Sequence, residues 1–337
     1  MKLGIMYDTP EMYGLTPDNL RHRDFCSEYS AERLRIQFEK AGYDVTMIGN
    51  MDSLFTKIRN NSLDVDIIYN TVEGLNTRNR EGTVPAFLEW YGIPFMGTDS
   101  YGLSTSLDKG RTKMIASNLG IPTPYYVMYD TDRNICGGNV SSFDSLHYPI
   151  IIKPNYEGNS TGVIKIDSPS AARYYIDDRL SFFRQEALCE EFIFGYELTV
   201  AIIGTGKNSR VVSMAFTDKQ IKSGDLTYWQ TSDEKVYGDY KDVEANLDDD
   251  VRERIEDYSL KIYKALGCRD FGRVDFRLDA NGNPFFLEIN PIPSLAENGA
   301  FGLAASNLRL EYHELLDLMI RQTSERYPHL SFPEKKF

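Results

Sequence analysis

The chain has 337 residues, 42% of them hydrophobic and 26% charged, with a formal net charge of −13. That length allows two or three domains with ample core. The acidic balance excludes a broad nucleic-acid-binding surface but leaves room for a local basic pocket for phosphates. The segment Met1-Lys-Leu-Gly-Ile-Met-Tyr-Asp8 lacks a signal-like apolar core, and no apolar run reaches membrane-spanning length. Four dispersed cysteines, Cys26, Cys136, Cys189 and Cys268, show no C-x-x-C spacing. The expectation is a cytoplasmic protein with reduced, buried thiols and neither nucleic-acid nor membrane partners.

Residues 1–100 alternate strand and helix. Residues 3–7 form a β-rich opening. Ala31, Leu34, Phe38 and Ala41 recur at helical spacing before Gly42, a natural helix terminator. Residues 45–48 and 65–69 read as short buried strands around a helix near 53–59, and residues 93–97 as another strand. This rhythm implies a parallel sheet. No G-x-G-x-x-G follows the first strand, so a dinucleotide site is unsupported.

Residues 107–119 read as one helix with Lys109 and Lys113 on one side, and Gly120-Ile-Pro-Thr-Pro124 breaks it. Residues 148–154 form a strand that ends in Lys153-Pro154 and leads into Glu157-Gly-Asn-Ser-Thr-Gly162. Residues 163–166 resume a strand, and 168–182 are helical. Three β runs follow at 188–193, 197–203 and 210–216. The stretch 217–250 is polar and longer than an ordinary loop, so it is functional or mobile. Val251, Ile255, Tyr258, Ile262 and Ala265 mark a helix that Gly267 ends, and a last helix covers about 312–325.

The densest chemistry lies in Gly272-Arg-Val-Asp-Phe-Arg-Leu-Asp-Ala-Asn-Gly-Asn-Pro-Phe-Phe-Leu-Glu-Ile-Asn-Pro291. Two apolar-alternating runs flank Asn281-Gly282 and read as a β-hairpin. A turn centred on that dipeptide puts Asp275 opposite Glu288 and Arg273 opposite Asn290, all on one face, unless a bulge shifts the register. Facing carboxylates repel. A divalent cation between them turns that repulsion into binding, with substrate phosphates completing its shell. The alternative is a solvated acidic face on an edge hairpin. Phe285, Phe286, Leu287 and Ile289 weigh against it.

The order and spacing of Glu81-Gly82, Gly92-Ile-Pro-Phe-Met-Gly97, Leu107-Asp-Lys109, Ile152-Lys-Pro154, the 157–162 loop, Gly195-Tyr-Glu-Leu-Thr199 and the hairpin resemble the ATP-grasp superfamily, and within it the D-alanine–D-alanine ligase-like family. The resemblance implies an α/β chain, α+β in its ATP-binding part: a Rossmann-like parallel-sheet domain (1–105), a central lid domain (106–188) and a catalytic domain (189–337) with a mobile loop at about 217–250. It implies ATP and one or two Mg²⁺ ions, with Mn²⁺ as an alternative. The implied activity joins two amino acids, or an amino acid and a related amine, through an acyl phosphate. The implied partners are small amino-acid or peptide substrates, with a second copy of the chain as a candidate.

The same resemblance assigns roles. Asp275, Glu288 and Asn290 hold metal, and Lys109 and Lys153 hold phosphates. Glu157, Gly158 and Ser160 belong to a loop over the phosphates. Glu190, Glu191 and Ile193 form the segment that holds adenine through main-chain groups, and Glu197 binds ribose. Arg273 stands at the tetrahedral oxyanion, with a backbone N–H near Ser294 as second donor; a structural ion pair with Asp275 or Glu288 is its other reading. Lys235 aligns with the mobile-loop lysine, though Val236 follows where the family has tyrosine. Both amino-acid subsites depart from the family. Asp24-Phe-Cys-Ser-Glu-Tyr-Ser30 lacks the usual glutamate motif, with Asp24 or Glu28 as substitutes. Asn159 and Gly299 stand where serines are usual. An ATP-grasp carboxylase, a carrier-protein-dependent ligase and a non-catalytic nucleotide-binding regulator are the competing readings.

Overall fold

A computed structural model of the chain describes residues 1–16, 19, 25–75, 77–231, 233, 234 and 239–334. Its first sheet is parallel, in the order β2-β1-β3-β4, from β1 (Lys2–Met6), β2 (Asp44–Gly49), β3 (Ile67–Asn70) and β4 (Phe95–Met96). The connections carry α1 (Glu28–Lys40), α2 (Met51–Arg59) and α3 (Thr83–Tyr91). The Ser27 hydroxyl caps α1 by accepting the Ser30 N–H, and Ala31, Leu34 and Phe38 turn inward at the expected spacing.

The helix expected over 107–119 is α5 (Lys109–Asn118), and a helix that was not expected, α4 (Ser100–Leu107), precedes it. Asp108 separates them. Its backbone is extended, and its carboxylate accepts the Arg111 N–H at 3.0 Å, capping α5. Capping by the Asp108 side chain ends one helix and starts the next.

The second sheet is antiparallel, in the order β6-β5-β9-β7-β8: β5 (Tyr126–Tyr129), β6 (Ile135–Gly138), β7 (Ile150–Pro154), β8 (Ile164–Ile166) and β9 (Ala187–Glu191). Helix α6 (Pro169–Phe183) covers one face with Ala172, Ile176 and Leu180. Ile151, Lys153 and Glu190 point to the other face, which the α5 N-terminus approaches. That approach needs Gly110, because a Cβ there would stand 1.9 Å from the Met128 sulfur.

The third sheet, also antiparallel, runs β12-β11-β10-β13-β14 from β10 (Gly195–Ile203), β11 (Arg210–Thr217), β12 (Asp242–Glu244), β13 (Phe271–Asp279) and β14 (Pro284–Asn290). Val200, Ile202, Val274, Phe276, Phe286 and Ile289 pack on α8 (Asp249–Ala265). The 217–250 stretch is described at residues 217–231, 233, 234 and 239–250. It contains α7 (Asp218–Ser223) and β12, and Asp218 ties its ends by accepting the Lys241 N–H at 3.1 Å. Cys189 and Cys268 are buried as expected, but Cys136 is exposed on the short edge strand β6.

Helices α9 (Ala300–Asn307) and α10 (Tyr312–Ile320) pack between the first and third sheets, in one core with Leu3, Ile5, Phe38, Tyr69 and Phe271. Asp270 binds this junction. Fully buried, it accepts Arg326 Nη1 and Nη2 at 2.6 and 2.7 Å, the Gly97 N–H at 2.7 Å and the Thr205 hydroxyl at 3.1 Å. Removing one partner of such a buried pair leaves an uncompensated charge. Asp270→Ala is expected to lower unfolding stability by about 3–5 kcal/mol in urea titration; a loss within the ~0.5 kcal/mol of an ordinary surface change contradicts this.

Candidate active site

A cavity of 780 Å³ opens between the second and third sheets and reaches the first. Fourteen of the fifteen singled-out positions line it: Lys109, Lys153, Glu157, Gly158, Ser160, Glu190, Glu191, Ile193, Glu197, Arg273, Asp275, Glu288, Asn290 and Ser294. Lys235 and Asp24 lie outside the described residues. Glu28 accepts the Tyr7 hydroxyl at 3.2 Å, and Ser27, Ser30 and Arg33 of the same region line the cavity instead.

The hairpin places its polar face as expected: Arg273 pairs with Asn290 and Asp275 with Glu288. Two departures cancel to give that result. The turn is wider than a two-residue loop, since the Asp279 N–H donates to Asn283 C=O at 3.1 Å. A bulge then leaves Leu287 unpaired between Glu288 and Phe286, and Phe276 pairs with Phe286. The bulge restores the pairing that the wider turn would have shifted.

Arg273 makes a bidentate pair with Asp275, with Nη2 to Oδ2 at 2.8 Å and Nε to Oδ1 at 3.0 Å. Thr199 on β10 donates to the same carboxylate at 3.1 Å. Glu288 faces Lys109 Nζ at 3.6 Å, and Asn290 Oδ1 accepts the Ile292 N–H at 2.9 Å. In this arrangement the ion-pair reading of Arg273 is realised, and the acidic pair carries its counter-charges as side chains. Among the described residues no group of three or more His, Cys, Asp or Glu forms a metal cage. The donor set is two carboxylates and an amide, which fits a hard cation completed by phosphate oxygens.

A second charge cluster underlies the first. Glu190 is buried between two lysines, at 2.5 Å from Lys153 Nζ and 2.7 Å from Lys113 Nζ. Lys113 is fully buried and also donates to the Thr123 hydroxyl and the Phe286 carbonyl. Burial pushes Lys113 down to about 8, with Glu190 opposing and Lys153 assisting. Burial also works against the Lys153 cation, but Glu190 and Glu288 outweigh it and hold its pKa above the usual lysine value. Lys113 sits one helical turn from Lys109, so the i,i+4 spacing was the available signal for it.

The loop from Glu157 to Gly162 is anchored at both ends. Asn155 accepts the Gly110 N–H at 2.9 Å and donates to Asp108 at 2.8 Å, tying the loop to the α5 N-terminus. Arg80 donates to the Tyr156 carbonyl, and Gln185 donates to the Glu157 carboxylate at 2.6 Å. Asn159 and Ser160 adopt left-handed backbone, φ 50° and 57°, an uncommon pair for non-glycine residues. The Ser160 hydroxyl donates to the Gln230 carbonyl at 3.1 Å, so the loop meets the polar segment after β11.

Glu197 accepts Arg277 Nη1 at 3.2 Å and the Gln230 N–H at 3.2 Å. Arg277 also donates to Ile193 C=O at 2.6 Å and lies over the Phe192 ring at 4.4 Å. It follows Arg273 and Asp275 at the same two-residue period, a pattern extending one step beyond the residues chosen. Glu191 directs its carboxylate outward to His147, 2.7 Å away, and its main-chain N–H donates to Tyr125 C=O at 2.9 Å. Asp242 and Tyr240 line the third-sheet end of the cavity. Burial raises the Asp242 carboxyl to about 6, Arg273 pulling against the rise and Asp275 adding to it. No local period in the polar 217–250 stretch pointed to either residue.

Two antiparallel sheets clasping a cavity floored by paired lysines and carboxylates define an ATP-grasp protein. Over 98% of the chain the fold matches a D-alanine–D-alanine ligase of Bacillus anthracis solved with ATP, covering all of that chain at TM-score 0.72 and 20% identity. A family model described as D-ala D-ala ligase C-terminus matches residues 115–321. The chain is 30% identical to the uncharacterized protein y4sG of Sinorhizobium fredii, over 77% of this chain and 75% of that one. It is 32% identical to the D-alanine–D-alanine ligase of Bordetella petrii, over 70% and 69% respectively. The chain therefore belongs to the D-alanine–D-alanine ligase family. Among its described residues no helix is long and apolar enough to cross a membrane.

The buried triad makes a pH prediction. The depressed Lys113 pKa means that between about 8 and the unfolded lysine value near 10.5 the unfolded chain binds the extra proton. Stability rises with pH where the unfolded state binds more protons. The stability of the wild type relative to Lys113→Met should therefore climb as pH is raised from 8 towards 10.5. Chemical denaturation of both proteins across that range checks it; a constant or falling difference refutes the assignment.

Proposed function

We propose that this chain, by family an ATP-dependent ligase that forms an amide bond, activates a small amino-acid or peptide carboxylate and joins it to an amine other than D-alanine. The observation that carries this reading is the convergence of Lys109, Lys153, Asp275, Glu288, Asn290 and Arg273 on one cavity. In the proposed arrangement of units 1–105, 106–188 and 189–337, ATP lies between the second and third sheets. Main-chain groups at Glu190, Glu191 and Ile193 take the adenine, and Glu197 takes the ribose. Glu157, Gly158 and Ser160 cover the phosphates.

Asp275, Glu288 and Asn290 would hold Mg²⁺, which when bound offsets charge on the phosphate oxygens. Lys109 and Lys153 add point charges beside the triphosphate. The substrate carboxylate oxygen takes the γ-phosphoryl group, giving an acyl phosphate and ADP. The amine nitrogen forms the C–N bond, the carbonyl C–O bond to phosphate breaks, phosphate leaves with the electron pair, and the nitrogen releases a proton. Arg273 would donate to the oxyanion between these events, with a backbone N–H near Ser294 as second donor. Lys235 is proposed to reach the transferred phosphate.

Glu288→Gln keeps shape and removes one charge. It is expected to cut ATP-dependent turnover by orders of magnitude, on the scale of about 10²–10³ for losing a preorganised charge-stabilising group. Full activity in that variant defeats the metal assignment. D-alanine alone is expected to be a poor substrate, because Gly299 offers no hydroxyl to an acceptor carboxylate and Asn159 alters the donor side. A lost hydrogen bond to a charged group costs about 1.5–3 kcal/mol. Phosphate release with D-alanine, compared with a panel of L- and D-amino acids and dipeptides, tests this. Efficient, saturable D-alanyl-D-alanine synthesis with no better pair would reverse it.

A further inference from the structure

The end of the cavity beside β12 is built differently from the nucleotide end. Helix α9 starts at Gly299, which has no side chain to cap it. The cap comes from another element: the Asp242 carboxyl takes the Ala300 backbone N–H. Asp242 is held there by its own N–H, which donates to Asn298 C=O at 2.9 Å, and by strand pairing with Thr217. A side-chain carbon built on Gly299 would lie 3.4 Å from the Ala296 carbonyl oxygen and 3.9 Å from Asp242 Oδ2. The space over Gly299 is thus bordered by two acceptors, the Asp242 carboxylate and the Ala296 carbonyl, which already accepts the Gly299 N–H at 3.0 Å.

The charges around this space favour donors in a ligand. Arg273 is a cation whose charge acts on Asp242, and it is committed bidentately to Asp275. Asp275 and Asp218 add negative charge, and Asp242 in turn acts on Tyr240. A ligand carboxylate over Gly299 would meet an anion, with the nearest helix N–H already used. A primary amide, a peptide N–H or an ammonium would meet two acceptors.

We propose that Asp242 is a specificity-determining residue of the ligase reaction. The amine that this chain ligates presents to the space over Gly299 a neutral or cationic hydrogen-bond donor, not a free carboxylate. Amino-acid amides, peptide N-termini and diamines belong to this class. The proposal rests on the ligase reading above and adds the acceptor class to it.

The test measures phosphate release from ATP and Mg²⁺. Each of a panel of L- and D-amino acids is supplied alone, and again with L- or D-alaninamide, which has no carboxylate and acts only as acceptor. The wild type should show kcat/KM for the best amide acceptor at least tenfold above that for any amino acid serving as its own acceptor. Asp242→Asn should bring that ratio towards one, since a charge-assisted hydrogen bond is worth roughly ten- to a hundredfold. The unfolding midpoint of the variant reports whether it is folded; if it is not, the wild-type ratio alone decides. An amino acid that serves as acceptor as well as the amides do overturns the proposal, as does an unchanged ratio in a folded Asp242→Asn. Either of those outcomes leaves the ligase reading standing. No phosphate release from any combination would sink the ligase reading itself and the acceptor assignment with it.

Discussion

Two carboxylates face each other across neighbouring strands, and much of the surrounding structure answers that one repulsion. Asp275 and Glu288 pair directly on β13 and β14, where like charges weaken a sheet. Arg273 and Thr199 hold Asp275 from within the third sheet. Lys109 meets Glu288 from α5, an element outside it. Beneath the charged face, Phe276 and Phe286 pack edge to face with ring centres 6.0 Å apart. The strands are thus fixed by apolar burial on one side while the other carries charge. A cation arriving with phosphates would compete with Arg273 and Lys109 for oxygens that are already oriented.

The same logic extends into the second sheet. Lys153 and Lys113 could not remain charged where they are without Glu190, and Glu190 could not be buried without them. Lys113 comes from α5, whereas Lys153 and Glu190 come from β7 and β9. The triad therefore pins a helix that packs on the third sheet to the cavity face of the second. Because Lys113 also donates to Phe286 C=O on β14, the acidic hairpin and the lysine strand are linked through one buried ammonium.

The hairpin was legible because two periodicities coincide there: alternating apolar residues set the strands, and alternating charges mark one face. Its register came out as expected although the turn is wider and a bulge sits at Leu287. Pairing arithmetic from a turn cannot see a bulge that depends on tertiary packing. Arg277 continued the period and was legible in principle. Helix α4 and the Asp108 joint were not, since residues 108–113 carry no apolar period and only the carboxylate's bond to the Arg111 N–H reveals the cap. Strand β6 escaped because an exposed edge with two glycines carries no apolar alternation. Asp242 escaped for another reason: its position is set by backbone pairing to Thr217 and Asn298, distant in sequence.

That difference separates the two ends of the cavity energetically. Nucleotide-end residues sit on paired strands and on a capped helix, and their charges are mutually buried. Changing one leaves a partner uncompensated, at about 3–5 kcal/mol for a buried pair. The acceptor end is made of a three-residue edge strand, the loop following β14 and the first turn of α9. Its polar groups are partly exposed, and a substitution there disturbs one cap or one loop contact, typically ~1 kcal/mol. A fold arranged in this way can keep phosphoryl-transfer groups in place while its acceptor wall changes sign. On the reading proposed above, Asp242 beside Gly299 is such a wall, a carboxylate in the protein where an arriving substrate would otherwise supply its own.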